Sequence, residues 1–273
     1  MNLKFPTAIC FLIVLIGFLS LGYGDPSISQ AMAIASDISP EAIDIDRLKQ
    51  NDVIYLGENH NSPEHHVRQL EIIKQLHRSN DEPNLAIALE MFQRPFQPVL
   101  DRYLAKEIGE TQLRQQSEYD PRWGWDWEFY APILRYARQH QIPLIALNTP
   151  EEITQKVAET GIDSLEGSDF RYIPPLNEIK LDNQTYKQSI SDIYLQHVEA
   201  GQGNSQDLDN FFAAQVLWDE TMAEAIARHY QNNPQSQIVV LVGQAHVMND
   251  YAIPQRVERR IRDKSFRDIV YLL

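Results

Sequence analysis

Five short apolar runs constrain this chain more than any other feature: Val53 to Leu56, Leu85 to Leu89, Pro143 to Leu147, Ile238 to Val242 and the stretch from Asp268 to Leu272. A strand with one wet face alternates apolar and polar residues, whereas a nearly continuous run requires cover on both faces. The stretches between the runs carry helical periods. One helix is expected from Pro63 to about His77, with Val67, Leu70, Ile73 and Leu76 inward, and a second from Pro95 to about Ile108, with Phe96, Leu100, Tyr103 and Leu104 inward. A third is capped by Asp126 and buries Phe129, Ile133, Leu134 and Ala137, and a long one is capped by Asp209 and runs to about Tyr230. Strands alternating with helices indicate an α/β fold with a mostly parallel sheet and helices on both faces. From Gly161 to Gly203 the period weakens and only Gln184 to Val198 reads as a helix, so an inserted helical segment is expected at about 161–208, with a flexible joint at 201–205.

In parallel sheets ligands bind beyond the carboxyl ends of the strands. Here the first run continues into Gly57, which permits a sharp turn, and then Glu58-Asn59-His60. The second ends in Glu90, the third in Asn148, and the fourth in Gly243-Gln244-Ala245-His246. Packing alone requires none of these polar residues. Two chemistries fit them. His60, Glu90 and His246 can work as general base and orienting carboxylate in the hydrolysis of an ester or amide, or Glu58, His60, Glu90 and His246 can hold a divalent metal with positions open to water. The chain has no G-x-S-x-G, P-loop or G-x-G-x-x-G, which removes serine-hydrolase and nucleotide-binding readings. On the long helix, Gln215 and Asp219 interrupt an apolar face and either satisfy core backbone groups or orient a site residue. Residues 119–130 hold three of the four tryptophans and two tyrosines, expected to pack on the core, with a wall for a flat ligand as the alternative. Arg256, Arg259, Arg260 and Arg262 read as a solvated face.

The net charge of −14 and pI near 5.0 argue against nucleic acid or an anionic membrane surface as partner. The single cysteine, Cys10, permits neither an internal disulfide nor a thiolate metal cage. Lys4, the apolar run from Ala8 to Leu21 and the small residues Ala31-Met32-Ala33 read as a secretory signal peptide over 1–33, followed by one domain over 34–273. The apolar run has 14 residues, short of the roughly 20 that span a bilayer. The expectation is therefore an exported protein, periplasmic or otherwise extracytoplasmic, that is not integral to the membrane. No cysteine follows the run, so no lipid anchor is expected.

The blocks LGENHNSPEHH, ALEMFQRPFQPVLDRYL, WGWDWEFYAPILRYAR, IPLIALNTP, AAQVLWDETMAEAIA and LVGQAHV, in this order, resemble the ChaN-like family of haem-binding lipoproteins implicated in haem iron uptake. The similarity runs from about Val53 to Val247. That family sits in a wider group with erythromycin esterases, TraB-like proteins and Tiki metalloproteases, in which strand-end Glu and His residues serve hydrolysis. By resemblance His60, Glu90 and His246 occupy the shared site positions. The resemblance also implies haem as cofactor, a flat pocket formed across a homodimer, and tyrosine as iron ligand. Tyr130 and Tyr119 in the aromatic stretch and Tyr194 or Tyr186 on the inserted helix are the candidates. Phenolate suits ferric iron.

Overall fold

The computed structural model describes residues 44–79, 84–199, 207–248 and 251–273; the expected signal peptide and flexible joint lie outside the described residues. The elements are α1 (Ile45–Leu48), β1 (Val53–Glu58), α2 (Pro63–Ser79), β2 (Leu85–Gln93), α3 (Gln97–Leu104), α4 (Glu110–Gln116), α5 (Tyr119–Arg122), α6 (Trp127–His140), β3 (Leu144–Asn148), α7 (Glu151–Thr160), α8 (Gln184–Glu199), α9 (Leu208–Asn232), β4 (Gln237–Gly243), α10 (Ile253–Glu258) and β5 (Asp268–Leu272). All strand pairings are parallel, in the order β3-β2-β4-β1-β5. The α/β reading therefore holds, and each apolar run is a strand.

Continuous apolar runs are needed because alternate residues enter two different cores. Ile54, Leu56, Ile87, Leu89, Val239 and Leu241 pack against helices α2 to α6, while Val53, Tyr55, Ile238, Val240 and Val242 face α9 and α10. A third cluster joins α7, α8 and the amino-terminal half of α9 through Val157, Tyr186, Ile190, Phe212 and Leu217, with 3-10 turns at Ile162–Ser164, Gly167–Arg171 and Leu176–Glu178 between them. Through this cluster the residues expected to form an inserted segment pack against α7 and α9. Helix α9 thus serves two cores, and Asp219, Glu220 and Thr221, all fully buried, occupy the junction. Among the described residues no helix is long and apolar enough to cross a membrane.

Several local expectations change. Helix α2 buries His66, Gln69, Ile72, Ile73 and Leu76, while Val67 is 60% exposed, because the end of the helix beside the site turns polar groups rather than an apolar stripe inward. The helix expected over 95–108 is a 3-10 turn at Arg94–Phe96 followed by the shorter α3, and α4 and α5 form where no helix was expected. Asp126 does cap α6, accepting from the Glu128 amide at 3.0 Å, but the cap of α9 is Asp207, which accepts from the amide of Asp209 at 2.8 Å. Such a cap contributes about 1 kcal/mol. Gly57 makes no turn: it continues β1, and a Cβ there would meet Leu272 at 2.8 Å, so its bareness serves close strand packing.

Candidate functional site

Strands β2, β4 and β1 are neighbours, and their carboxyl ends deliver ionisable groups to one buried chamber. Glu58 ends β1 and is 2% exposed. One of its oxygens lies 2.8 Å from Nδ1 of His60 and accepts from the Tyr130 hydroxyl, and the other accepts from Nε2 of Gln69 at 2.6 Å. A carboxylate only accepts, so the His60 proton sits on Nδ1 and faces Glu58. Burial works to raise the Glu58 pKa, but the hydrogen bond and charge of His60 and the nearby His66 outweigh it and hold it below the ordinary value. Burial likewise works against His60 protonation and loses to Glu58 and Glu90, so the imidazole lies above its usual value. His66 fixes the turn that follows β1 through Nε2, 3.0 Å from the His60 carbonyl.

The second arm starts at Glu90. Pairing of β2 with β4 stops at Leu89 and Leu241, and beyond it a Glu90 oxygen accepts the Gly243 N–H at 2.6 Å. The β2–β3 register slips between Leu89 and Gln93, and Asn148 ties the Glu90 carbonyl at 3.0 Å. His246 lies in the 3-10 turn Gln244–His246 after β4, with Nε2 3.5 Å from the other Glu90 oxygen and Nδ1 2.6 Å from Asp219. The second Asp219 oxygen accepts from the Tyr186 hydroxyl at 2.6 Å. Burial lowers the His246 pKa, the Glu90 and Asp219 carboxylates raise it, and the balance puts it at about 9. The chamber therefore holds two histidines, each oriented through Nδ1 by its own carboxylate, with Glu90 beside them. A Cβ on Gly243 would lie 2.8 Å from Nε2 of His60, so only glycine leaves that ring its place.

The structure brings Glu58, His60, Glu90 and His246 together as the strand ends predicted. It does not present them as a cation cage: among the described residues no group of three or more His, Cys, Asp or Glu is placed to hold a metal ion. Both oxygens of Glu58, one of Glu90 and Nδ1 of each histidine already have partners. The exception is Nε2 of His60, buried without a hydrogen-bond partner. It is covered by Trp123, edge-on with ring centres 4.9 Å apart, and by Trp125 at 5.7 Å. Behind these rings is a cavity of about 40 Å³ lined among others by Gln93, Arg122, Thr149 and Trp218. Arg122 anchors the aromatic stretch to Glu118, Gln93 and Glu152 at 2.7, 2.8 and 2.6 Å.

The aromatic stretch thus divides between its two readings. Tyr119, Trp127 and Tyr130 are core residues, whereas Trp123 and Trp125 are half-buried against His60. Tyr119 and Tyr130 are each 1% exposed, with burial the first cause raising both phenols, and Tyr130 is spent on Glu58. Neither presents a surface to a porphyrin. Tyr186 is buried and supports Asp219, and Tyr194 is half-buried beside Phe211 with ring centres 5.5 Å apart. Of the two polar interruptions on the long helix, Asp219 takes the orienting role. Sequence reasoning missed His66 and Gln69; their place at the inward start of α2, where apolar residues would otherwise sit, is the trace they leave.

Comparisons with known proteins bear on this arrangement. Residues 45–257 match a family described as haem-binding uptake, Tiki superfamily, ChaN. The chain is 27% identical over 226 residues to the chloroplast protein RETICULATA-RELATED 5 of Arabidopsis thaliana, covering 78% of this chain but only 30% of that protein. A solved structure titled for cofacial heme binding to ChaN of Campylobacter jejuni superposes with a TM-score of 0.63 at 24% identity, covering 84% of this chain and 83% of the other. A mutant erythromycin esterase, EreC, is similar at 15% identity with a TM-score of 0.45, covering 85% of this chain and 74% of that one.

Proposed function

The chain belongs to the ChaN family of the Tiki superfamily, and on that premise we propose that it binds haem and handles haem or its iron on the extracytoplasmic side. The family match over residues 45–257 carries this reading. The amino-terminal basic and apolar segment supports export. The cavity of about 40 Å³ beside Trp123 and Trp125 is far below the roughly 300–1,000 Å³ of small-molecule sites, so a porphyrin does not fit there. An open cleft of about 600 Å³ does have the size, and its lining includes Tyr251, Lys180, Asn183, Gln255 and Arg259. The Tyr251 ring stacks on Tyr186 with centres 4.9 Å apart, and its hydroxyl lies 2.7 Å from Oγ of Ser189. A phenol suits ferric iron, and Lys180 and Arg259 suit the carboxylate arms of haem. When bound, haem supplies the iron centre; the chain supplies the phenol, the cations and the stacked support beneath. The structure titled for cofacial heme binding to ChaN of Campylobacter jejuni supports a flat ligand of this kind.

Titration with haemin is expected to give a saturable Soret band at low-micromolar haem, with a mass increase to a dimer by light scattering. Tyr251→Phe should weaken binding about tenfold or more, a loss of at least 1.4 kcal/mol, while Tyr130→Phe leaves haem affinity unchanged. A band no larger than that of a nonspecific control ends the reading. A band lost in Tyr194→Phe and kept in Tyr251→Phe moves the site to α8.

One observation favours a second reading, a hydrolase of esters or amides. Nε2 of His60 is free while Nδ1 is held by Glu58, the arrangement of a general base that takes a proton from an attacking water. Substrate reaches it only if Trp123 and Trp125 move aside. Under this reading His60→Ala and Glu90→Gln each abolish turnover of an ester or amide panel; a panel left untouched by the wild-type protein sinks it.

A further inference from the structure

Of the arginines on α10 and the segment after it, Arg262 is exposed as its spacing suggested, but Arg256, Arg259 and Arg260 converge on one buried carboxylate instead. Glu220 of α9 is fully buried. One of its oxygens accepts from the Lys180 amide at 3.1 Å and from Arg256, and the other accepts from Arg259 at 2.7 Å and pairs with the Arg260 guanidinium at the same distance. One carboxylate offsets one of three guanidiniums. Further relief is thin: Arg260 reaches Glu178 at 3.5 Å, and Arg256 stands 3.9 Å from an Asp219 already engaged by His246 and Tyr186. Nearby, Arg94 and Arg228 share Glu224 at 2.7 and 3.7 Å.

Lys180, Arg228, Arg259, Arg260 and Arg262 line one open cleft of about 450 Å³ between α9, the Leu176–Glu178 turn and the segment after α10. Its carboxylates are Glu178 and Glu224, with Glu220 beneath, so a focus of excess positive charge stands on a chain whose net charge is −14. The Arg260 side chain is 10% exposed, and its Nε and Nη2 have no hydrogen-bond partner. Buried donors of this kind ordinarily have an acceptor, and guanidinium forks match oxyanions. We propose that this cleft binds a multiply charged oxyanion, a phosphate-type group or a polycarboxylate, through Arg228, Arg260 and Arg262, which do not line the Tyr251 cleft, with Lys180 and Arg259 shared between the two. Asp182 and Glu258 line the neighbouring cleft with Tyr251 and set the boundary of the basic region.

The test is calorimetric titration of the whole protein with pyrophosphate and, separately, citrate, each against sodium chloride at matched ionic strength. Arg228→Gln combined with Arg262→Gln is the informative variant, since both residues are exposed and neither bonds Glu220, so the buried network survives. Saturable binding of at least one anion is expected, weakened about tenfold or more in the double variant, with haemin titration unchanged because neither residue lines the Tyr251 cleft. The pyrophosphate and citrate arms distinguish phosphate from carboxylate. Heats reproduced by sodium chloride, or equal affinity in the double variant, overturn the proposal.

Discussion

Glu58→Ala is expected to lower the unfolding free energy by about 3–5 kcal/mol, the range found when one partner of a buried charged network is removed. The carboxylate joins β1 to α2 through Gln69, to α6 through Tyr130 and to its own strand end through His60. Its removal leaves a buried imidazole and a buried phenol without an acceptor, and each stranded group costs about 1–3 kcal/mol. The check is urea denaturation: the midpoint should fall with an unchanged slope. Glu58→Gln should cost less, because the amide oxygen still accepts one hydrogen bond while its N–H₂ faces a donor. A loss under about 1 kcal/mol for the alanine variant would mean that Glu58 does not tie these elements together.

Stability is also expected to fall as pH rises through about 9. The folded His246 pKa is about 9 against an ordinary 6.5, so protonated His246 contributes fully below about 6.5, and the contribution is gone once pH has passed the folded value. The size is on the order of 3 kcal/mol at roughly 1.4 kcal/mol per unit. His60, raised in the same direction, adds to the alkaline loss. Glu58 acts at the other end: its pKa is held below the ordinary 4.5, so its contribution is present above that value and disappears as pH falls through the folded one. A stability plateau between about 4.5 and 6.5 follows, with a decline across neutrality toward about 9. Asp219→Asn should move the alkaline midpoint down without bringing it to 6.5, because Glu90 remains beside the imidazole. It should also cost about 1–3 kcal/mol near pH 7, since one amide cannot accept from both His246 and Tyr186. Denaturation curves between pH 6 and 10, with NMR titration of the His246 ring, measure both effects. A folded His246 that titrates near 6.5 would contradict them.

The site was legible wherever a strand delivered it. Glu58, His60, Glu90 and His246 stand at or just past the ends of continuous apolar runs, and a parallel sheet places all such ends on one edge. The residues that hold them were less visible. Gln69, Tyr130, Tyr186 and Asp219 come from α2, α6, α8 and α9, and nothing in their local spacing says which strand end each will face. Asp219 announced itself as a carboxylate on an apolar helix face, but its partner, His246, is 27 residues away. Arg256, Arg259 and Arg260 misled for the same reason: their spacing resembles a solvated face, and their counter-charge, Glu220, lies on another helix.

By itself the sequence determined the layered α/β architecture, because four of the five runs, those of β1 to β4, have no polar face and no stable home except a sheet covered on both sides, while β5 closes the edge with Val270 and Leu272 exposed. It also determined which chemistry gathers at the strand ends. Only the tertiary structure decided that the gathered groups form two carboxylate-oriented histidines, and that Trp123 and Trp125 close over the buried, unpartnered Nε2 of His60. The physical reason is directional. Apolar burial is nearly indifferent to partner and can be read from periodicity, whereas a hydrogen bond or ion pair depends on a few tenths of an ångström between groups brought together from distant parts of the chain.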